Sequence, residues 1–224
     1  MRETDSTITA ILIDGGFYRR RAYACLGEKT PVERANELEE YCKRHLNERK
    51  NYRHALYRIF YYDCPPVEKI VYNPLTKKQV DLAKSPTFSW SFDFLNELKK
   101  KRKFALRLGK LAQENAEFKL SSKAFKKLCN GTITFDELDE SDCVLSINQK
   151  GVDMKIGLDI ASLAYKKQVN QIILISGDSD FVSAAKLARR EGIDFILDPL
   201  GADIKPDLFE HIDGLRTCDK KYKK

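Results

Sequence analysis

The sequence predicts a parallel α/β fold carrying a basic insertion, and three observations lead there. Short runs of β-branched and aliphatic residues recur, as in Thr7-Ile-Thr-Ala-Ile-Leu-Ile-Asp14 and Gln171-Ile-Ile-Leu-Ile-Ser176, and helical patterns alternate with them. Strand–helix–strand alternation builds parallel sheets. Several of these runs end on an aspartate, where such a sheet presents its ligand-binding edge. Between about Val67 and Ser141 the alternation stops and lysines accumulate.

The 224 residues suffice for one large domain or a core with a sizeable insertion, and 42% hydrophobic residues is ordinary for a globular protein. No stretch approaches the roughly 20 apolar residues of a membrane span. The polar start, Met1-Arg-Glu-Thr-Asp-Ser6, lacks the apolar region of a secretory signal, so a cytoplasmic protein is expected. Six scattered cysteines without a C-x-x-C pair read as reduced thiols and argue against zinc. A net charge of +7 favours a polyanionic partner.

The first run, Thr7 to Asp14, is nearly all apolar, as befits a strand buried on both faces. It stops at Asp14-Gly15-Gly16, where glycine permits a sharp turn and close backbone approach. Phe17 to Ala24 reads as a helix bearing Arg19, Arg20 and Arg21. Pro31 opens a second helix, Val32 to Leu46, with acids early and Lys43, Arg44 and His45 late, as the helix dipole prefers. Tyr52 to Tyr62, dense in aromatic residues, reads as the second strand and stops at Asp63-Cys64-Pro65-Pro66.

In the stretch that follows, Phe88, Trp90, Phe92 and Phe94 alternate with polar residues, which predicts one buried face of a strand or, as the alternative, a base-stacking platform. Next comes the densest basic run: Lys99, Lys100, Lys101, Arg102 and Lys103. It suits either a solvated face or contact with a nucleic-acid backbone. Regularity returns with Cys143 to Asn148 as the expected third strand and a helix from about Asp153 to Lys167. Gln171 to Ser176 is the fourth strand, Asp180 to Glu191 a helix closed by Gly192, and Ile193 to Leu197 the fifth strand. Pro206 to Ile212 reads as a short helix and Lys220 to Lys224 as a frayed basic tail.

Asp14, Asp178 and Asp180 fall at or just past strand ends, and Asp153 opens the helix after the third strand. Crowded carboxylates repel, and a divalent cation relieves them. Oxygen ligands without His or Cys point to Mg²⁺ or Mn²⁺, ions that also bind phosphates and activate water. Each acid also has a simpler reading. Asp180 suits an N-cap, Asp153 a helix-dipole partner, Asp159 an ion pair with Lys155, and Asp63 and Asp198 turns next to proline.

Three blocks carry a resemblance: Ile13-Asp14-Gly15-Gly16-Phe17; Lys150-Gly151-Val152-Asp153 with Asp159; and Ser176-Gly177-Asp178-Ser179-Asp180-Phe181. Together they resemble the signatures of the NYN domain, in the LabA-like branch of the PIN-like ribonucleases. The resemblance implies a PIN-like three-layer α/β/α sandwich with a mainly parallel central sheet. It implies a domain over residues 7–215, its core in 7–63 and 142–215, with 64–141 as a basic insertion or subdomain. It further implies Mg²⁺- or Mn²⁺-dependent cleavage of RNA, with Asp14, Asp153, Asp178 and Asp180 as the acidic metal site and Asp159 as a further member. Where many such proteins carry an Asn three residues after the first Asp, Phe17 stands here.

The expected partner is single-stranded RNA, held by Lys150, Arg19 and Arg20 and by the run from Lys99 to Lys103, with a homo-oligomer or a regulatory protein as a further partner. A non-catalytic RNA-binding or regulatory module is the alternative. Asp14-Gly15-Gly16 lacks the second acid of a haloacid-dehalogenase-type phosphatase and the G-x-G-x-x-G of a dinucleotide site. A topoisomerase-primase-type site would want a Glu after the first strand.

Overall fold

A strand apolar on both faces has to lie in the middle of a covered sheet. Strand β1 (Thr7–Asp14) does so: Ala10, Ile11, Leu12 and Ile13 are completely buried. The Ile11, Leu12 and Ile13 side chains each contribute roughly 1.5–3 kcal/mol on leaving water. The computed structural model describes residues 6–47, 54–111, 116–147 and 149–222. The start of the expected second strand (52–53), Asn148 and residues 223–224 of the expected tail lie outside the described residues, as do the side chains of Leu111, Gln149 and Lys150.

After β1 come α1 (Gly15–Leu26), α2 (Pro31–Leu46), β2 (His54–Asp63), β3 (Ile70–Asn73), β4 (Lys78–Asp81), α3 (Pro86–Lys100) and β5 (Phe104–Leu108). Then follow β6 (Lys110–Leu111), β7 (Glu117–Leu120), α4 (Ser122–Cys129), β8 (Cys143–Ser146) and β9 (Gln149–Lys150). The chain closes with α5 (Val152–Tyr165), β10 (Gln171–Ile175), α6 (Val182–Arg190), β11 (Asp194–Asp198), α7 (Pro206–Phe209) and β12 (Gly214–Leu215). Among the described residues, no helix is long and apolar enough to cross a membrane.

These elements form two compact units. One comprises Met1–Asp63, Asp93–Gly109 and Gly151–Lys224, the other Cys64–Phe92 and Lys110–Lys150. The first holds a six-stranded parallel sheet in the order β12-β11-β10-β1-β2-β5. Its helices cover both faces. Tyr61, Asp63 and Asp198 share one face and meet α3 through Phe94, α1 through Arg19 and α2 through Tyr41 and His45. On the opposite face Tyr62 and Arg107 reach Asp159 of α5. The result is a three-layer α/β/α sandwich.

From β1 the chain moves to β2 on one side, while β10 and β11 lie on the other. The crevice between the carboxyl ends of β1 and β10 is therefore a topological switch point, where open parallel sheets bind ligands.

The second unit contains the antiparallel pairs β3–β4, β6–β9 and β7–β8. Its own small core is Val67, Val71, Leu82 and Ala116, with Val80, Phe118, Leu145 and Ile147 packed against it.

Three expectations change. The alternating aromatics are helical, on α3, and not one face of a strand. Ser85 accepts the Phe88 N–H and starts the helix, and the side chains it buries (Ser91, Phe94, Leu95, Leu98) follow the helical spacing of three and four. The expected third strand, now β8, pairs antiparallel with β7, and the place beside β2 belongs to β5. The basic tail is anchored rather than frayed at Tyr222, which is buried edge-on against Tyr41.

Candidate metal centre

Asp14 closes β1 and caps α1. Its Oδ1 accepts the Phe17 N–H at 3.0 Å, and its Oδ2 accepts the Ser176 hydroxyl at 3.3 Å. Burial raises the pKa of this carboxyl; the Phe17 and Ser176 hydrogen bonds and the charge of Arg20 oppose the rise, and Asp63 adds to it. Gly15 is obligatory here, because a Cβ would lie 2.6 Å from the Tyr62 carbonyl and from the Tyr61 ring. Phe17 sends its backbone N–H to Asp14 and lays its ring over Gly177.

Ser176 extends β10 in register with Asp14 and links two of the acids. Its oxygen also accepts the Asp178 N–H at 3.2 Å. The Asp178 carboxylate in turn accepts the Asp180 N–H at 3.0 Å and caps the short 3-10 turn Ser179–Phe181. The capping expected of Asp180 is thus done by Asp178, and Asp180 leaves its carboxylate exposed.

Asp153 sits in the first turn of α5. Its pKa is raised, first by partial burial and then by the charges of Asp14, Asp178 and Asp180. Asp153 therefore feels the charge of the other three acids across the switch-point crevice. The donor set, carboxylate oxygens with one hydroxyl, fits a hard divalent cation. Among the described residues, no group of three or more His, Cys, Asp or Glu side chains is drawn together closely enough to hold an ion as it stands.

Asp159 does not pair with Lys155 one turn back. Its Oδ2 accepts the Tyr62 hydroxyl at 2.8 Å and the Arg107 Nε–H at 3.0 Å. Ser176, Tyr62 and Arg107 escaped the sequence reading. For Ser176 the available signal was its position two residues before Asp178, at the end of a strand.

Register separates the remaining acids. Asp14 aligns with Tyr62, and Ile13 with Ile175, which aligns with Asp198. Side chains alternate along strands, so Asp63 and Asp198 point to the face opposite Asp14. There Asp63 is ion-paired with Arg19 at 3.0 Å and accepts the Tyr61 hydroxyl at 3.1 Å. Asp198, fully buried, is bonded to Tyr41, to His45 at 2.9 Å and to Thr217 at 2.8 Å. Both are structural acids.

The basic candidates divide in the same way. Arg19 is committed to Asp63, and Arg21 donates to the Leu200 carbonyl at 2.8 Å. Arg20 is exposed and its charge acts on Asp14. Lys99 and Lys100 end α3, and Lys101 to Lys103 turn the chain into β5. The run thus lies at the amino edge of the sheet, with a five-residue strand, roughly 17 Å at about 3.3 Å per residue, between it and the carboxyl edge. Lys101 ties this turn to Asn36 and Glu39, and Lys103 to the Leu56 carbonyl. Lys150 belongs to β9 of the other unit.

Fold and site together define an α/β protein with an acidic crevice at the switch point of a parallel sheet. Residues 93–203 match the family model of the NYN domain, which supports a PIN-like nuclease fold. The match takes in Asp153, Asp178 and Asp180 but starts after β1 and Asp14. Among solved structures, the crystal structure of a protein of unknown function from Vibrio parahaemolyticus superimposes with a TM-score of 0.51, covering 99% of this chain and 98% of that one at 14% identity. No curated protein matched the chain.

Proposed function

We propose that the protein is a divalent-metal-dependent endoribonuclease of the LabA-like NYN type, acting on single-stranded RNA. The observation that carries this reading is the approach of Asp14, Asp153, Asp178 and Asp180 from three separate stretches of chain to one crevice, where partial burial first and then the charges of the other three raise the Asp153 pKa. Asp14, Asp153 and Asp178 would hold Mg²⁺ or Mn²⁺, with Asp180 completing the site. Such an ion would supply charge neutralisation at the phosphate and activation of water.

The protein's part is orientation. The Phe17 N–H and the Ser176 hydroxyl fix the Asp14 carboxylate, and the Asp180 N–H fixes that of Asp178. Arg20, exposed and near enough for its charge to act on Asp14, would serve as a cation for the RNA backbone. All six cysteines are free thiols, which supports a reducing, cytoplasmic setting.

The test is cleavage of single-stranded RNA by the purified protein in Mn²⁺ or Mg²⁺. Asp178→Asn should reduce the rate by more than about 100-fold, since losing even the outer partners of metal ligands costs roughly 10–100-fold. Cleavage that survives Asp178→Asn, or survives EDTA, overturns the mechanism. The absence of a closed three-ligand group among the described residues favours a second reading, a non-catalytic RNA-binding module. That reading predicts salt-sensitive binding without turnover.

A further inference from the structure

We propose that Arg107 is a phosphate-binding residue that anchors the RNA beside the acidic crevice; this rests on the RNA reading above and names a contact that reading lacks. Asp14, Tyr62 and Arg107 are register partners on β1, β2 and β5, so they form one row across the carboxyl edge and share a face. Strands lie about 4.8 Å apart, which sets the Arg107 backbone roughly 10 Å from that of Asp14. A short stretch of extended single strand covers that distance.

The guanidinium is held from two sides. Its central carbon lies over the Phe60 ring, 5.2 Å from the ring centroid, and its Nε donates to Asp159 at 3.0 Å. Asp159 is itself fixed by the Tyr62 hydroxyl, and Phe60 and Tyr62 are buried, so the support is rigid. Among the described residues Nε is the one guanidinium nitrogen with a partner, and the side chain stays 44% exposed. The outer fork is thus presented to solvent in the planar, two-donor form that matches a phosphate. A plain surface ion pair is worth little to stability and does not call for a buried tyrosine hydroxyl to orient its acid.

The experiment measures binding of a fluorescently labelled oligouridylate by anisotropy in EDTA across a NaCl series, with melting temperatures recorded for each variant. Arg107→Gln should weaken binding about tenfold and make the slope of log K against log salt shallower by about 0.7. Arg190→Gln, an exposed arginine at the end of α6 on the amino edge, should change neither. Arg107→Lys keeps the charge and loses the fork, so it should retain the salt slope and lose affinity; it decides the matter if Arg107→Gln fails to fold. Wild-type affinity and slope in Arg107→Gln overturn this inference alone. A wild-type protein that neither binds nor cleaves RNA overturns the RNA reading with it.

Discussion

At the scale of single residues, the parity of the strand position separates the acid proposed for the site from the two that serve the fold. Asp14, Asp63 and Asp198 all end strands, and in sequence all three are followed by glycine, cysteine or proline. One step of register sends Asp14 to the face of α5 and the other two to the face of α1 and α2, where Arg19, Tyr41 and His45 neutralise or bond them. Buried carboxylates persist only when so partnered. The turn after Asp14 is equally constrained. Gly15→Ala would push a methyl against the Tyr62 carbonyl, which as backbone cannot swing away as a flexible side chain does. It should destabilise the fold by about 1–3 kcal/mol, read as a lower urea midpoint with an unchanged slope; a stability within about 0.5 kcal/mol of wild type would show that the turn relaxes freely.

At the scale of elements, the strands buried on both faces were legible because an apolar run bounded by turn residues has few other solutions. β1, β2, β10 and β11 were readable on that ground, and α2 from the proline and the charge order along it. The misreadings came where two periods compete. Phe88, Trp90, Phe92 and Phe94 alternate in sequence, yet Phe88 and Phe92, four apart, stack at 6.3 Å on a helix. β5 went unseen because five residues behind a basic run carry little pattern, and it is this strand that lies beside β2. The cross-link between α2 and β11 was also invisible, since it joins residues 157 apart in sequence. Burial and then the charge of Asp198 drive the Tyr41 pKa upward, so its hydroxyl remains a donor. Tyr41→Phe should therefore cost about 1–3 kcal/mol in denaturation and leave the response to Mn²⁺ unchanged. A loss of the Mn²⁺ response together with stability would mean that Asp198 belongs to the site after all.

At the scale of the whole molecule, the candidate site arises from topology: β1 and β10 are neighbours in the sheet although their register partners lie 162 positions apart in sequence. The acids themselves were legible, because aspartates at strand ends carry a cost that function or capping has to offset. Their bonding was not, because Ser176 to Asp14 and Arg107 to Asp159 depend on tertiary neighbours. The charge of the other three acids at Asp153 has a consequence that needs no metal or RNA. The Asp153 carboxyl lies above its ordinary value of 3.8, through partial burial first and the charges of Asp14, Asp178 and Asp180 next. The folded state therefore holds this proton more tightly than the unfolded chain does. The stability that protonation contributes is complete below about pH 4 and is lost as pH rises through the folded-state pKa. Asp153→Asn removes the repulsion, so in EDTA it should raise the melting temperature at pH 7 by a few degrees at most, because the group is partly solvated. The difference should shrink toward zero near pH 4, and Mn²⁺ at pH 7 should narrow it by stabilising the wild type preferentially. Melting curves for both proteins across this range decide the point: a difference independent of pH and of Mn²⁺ would mean that the four carboxylates do not act as one site.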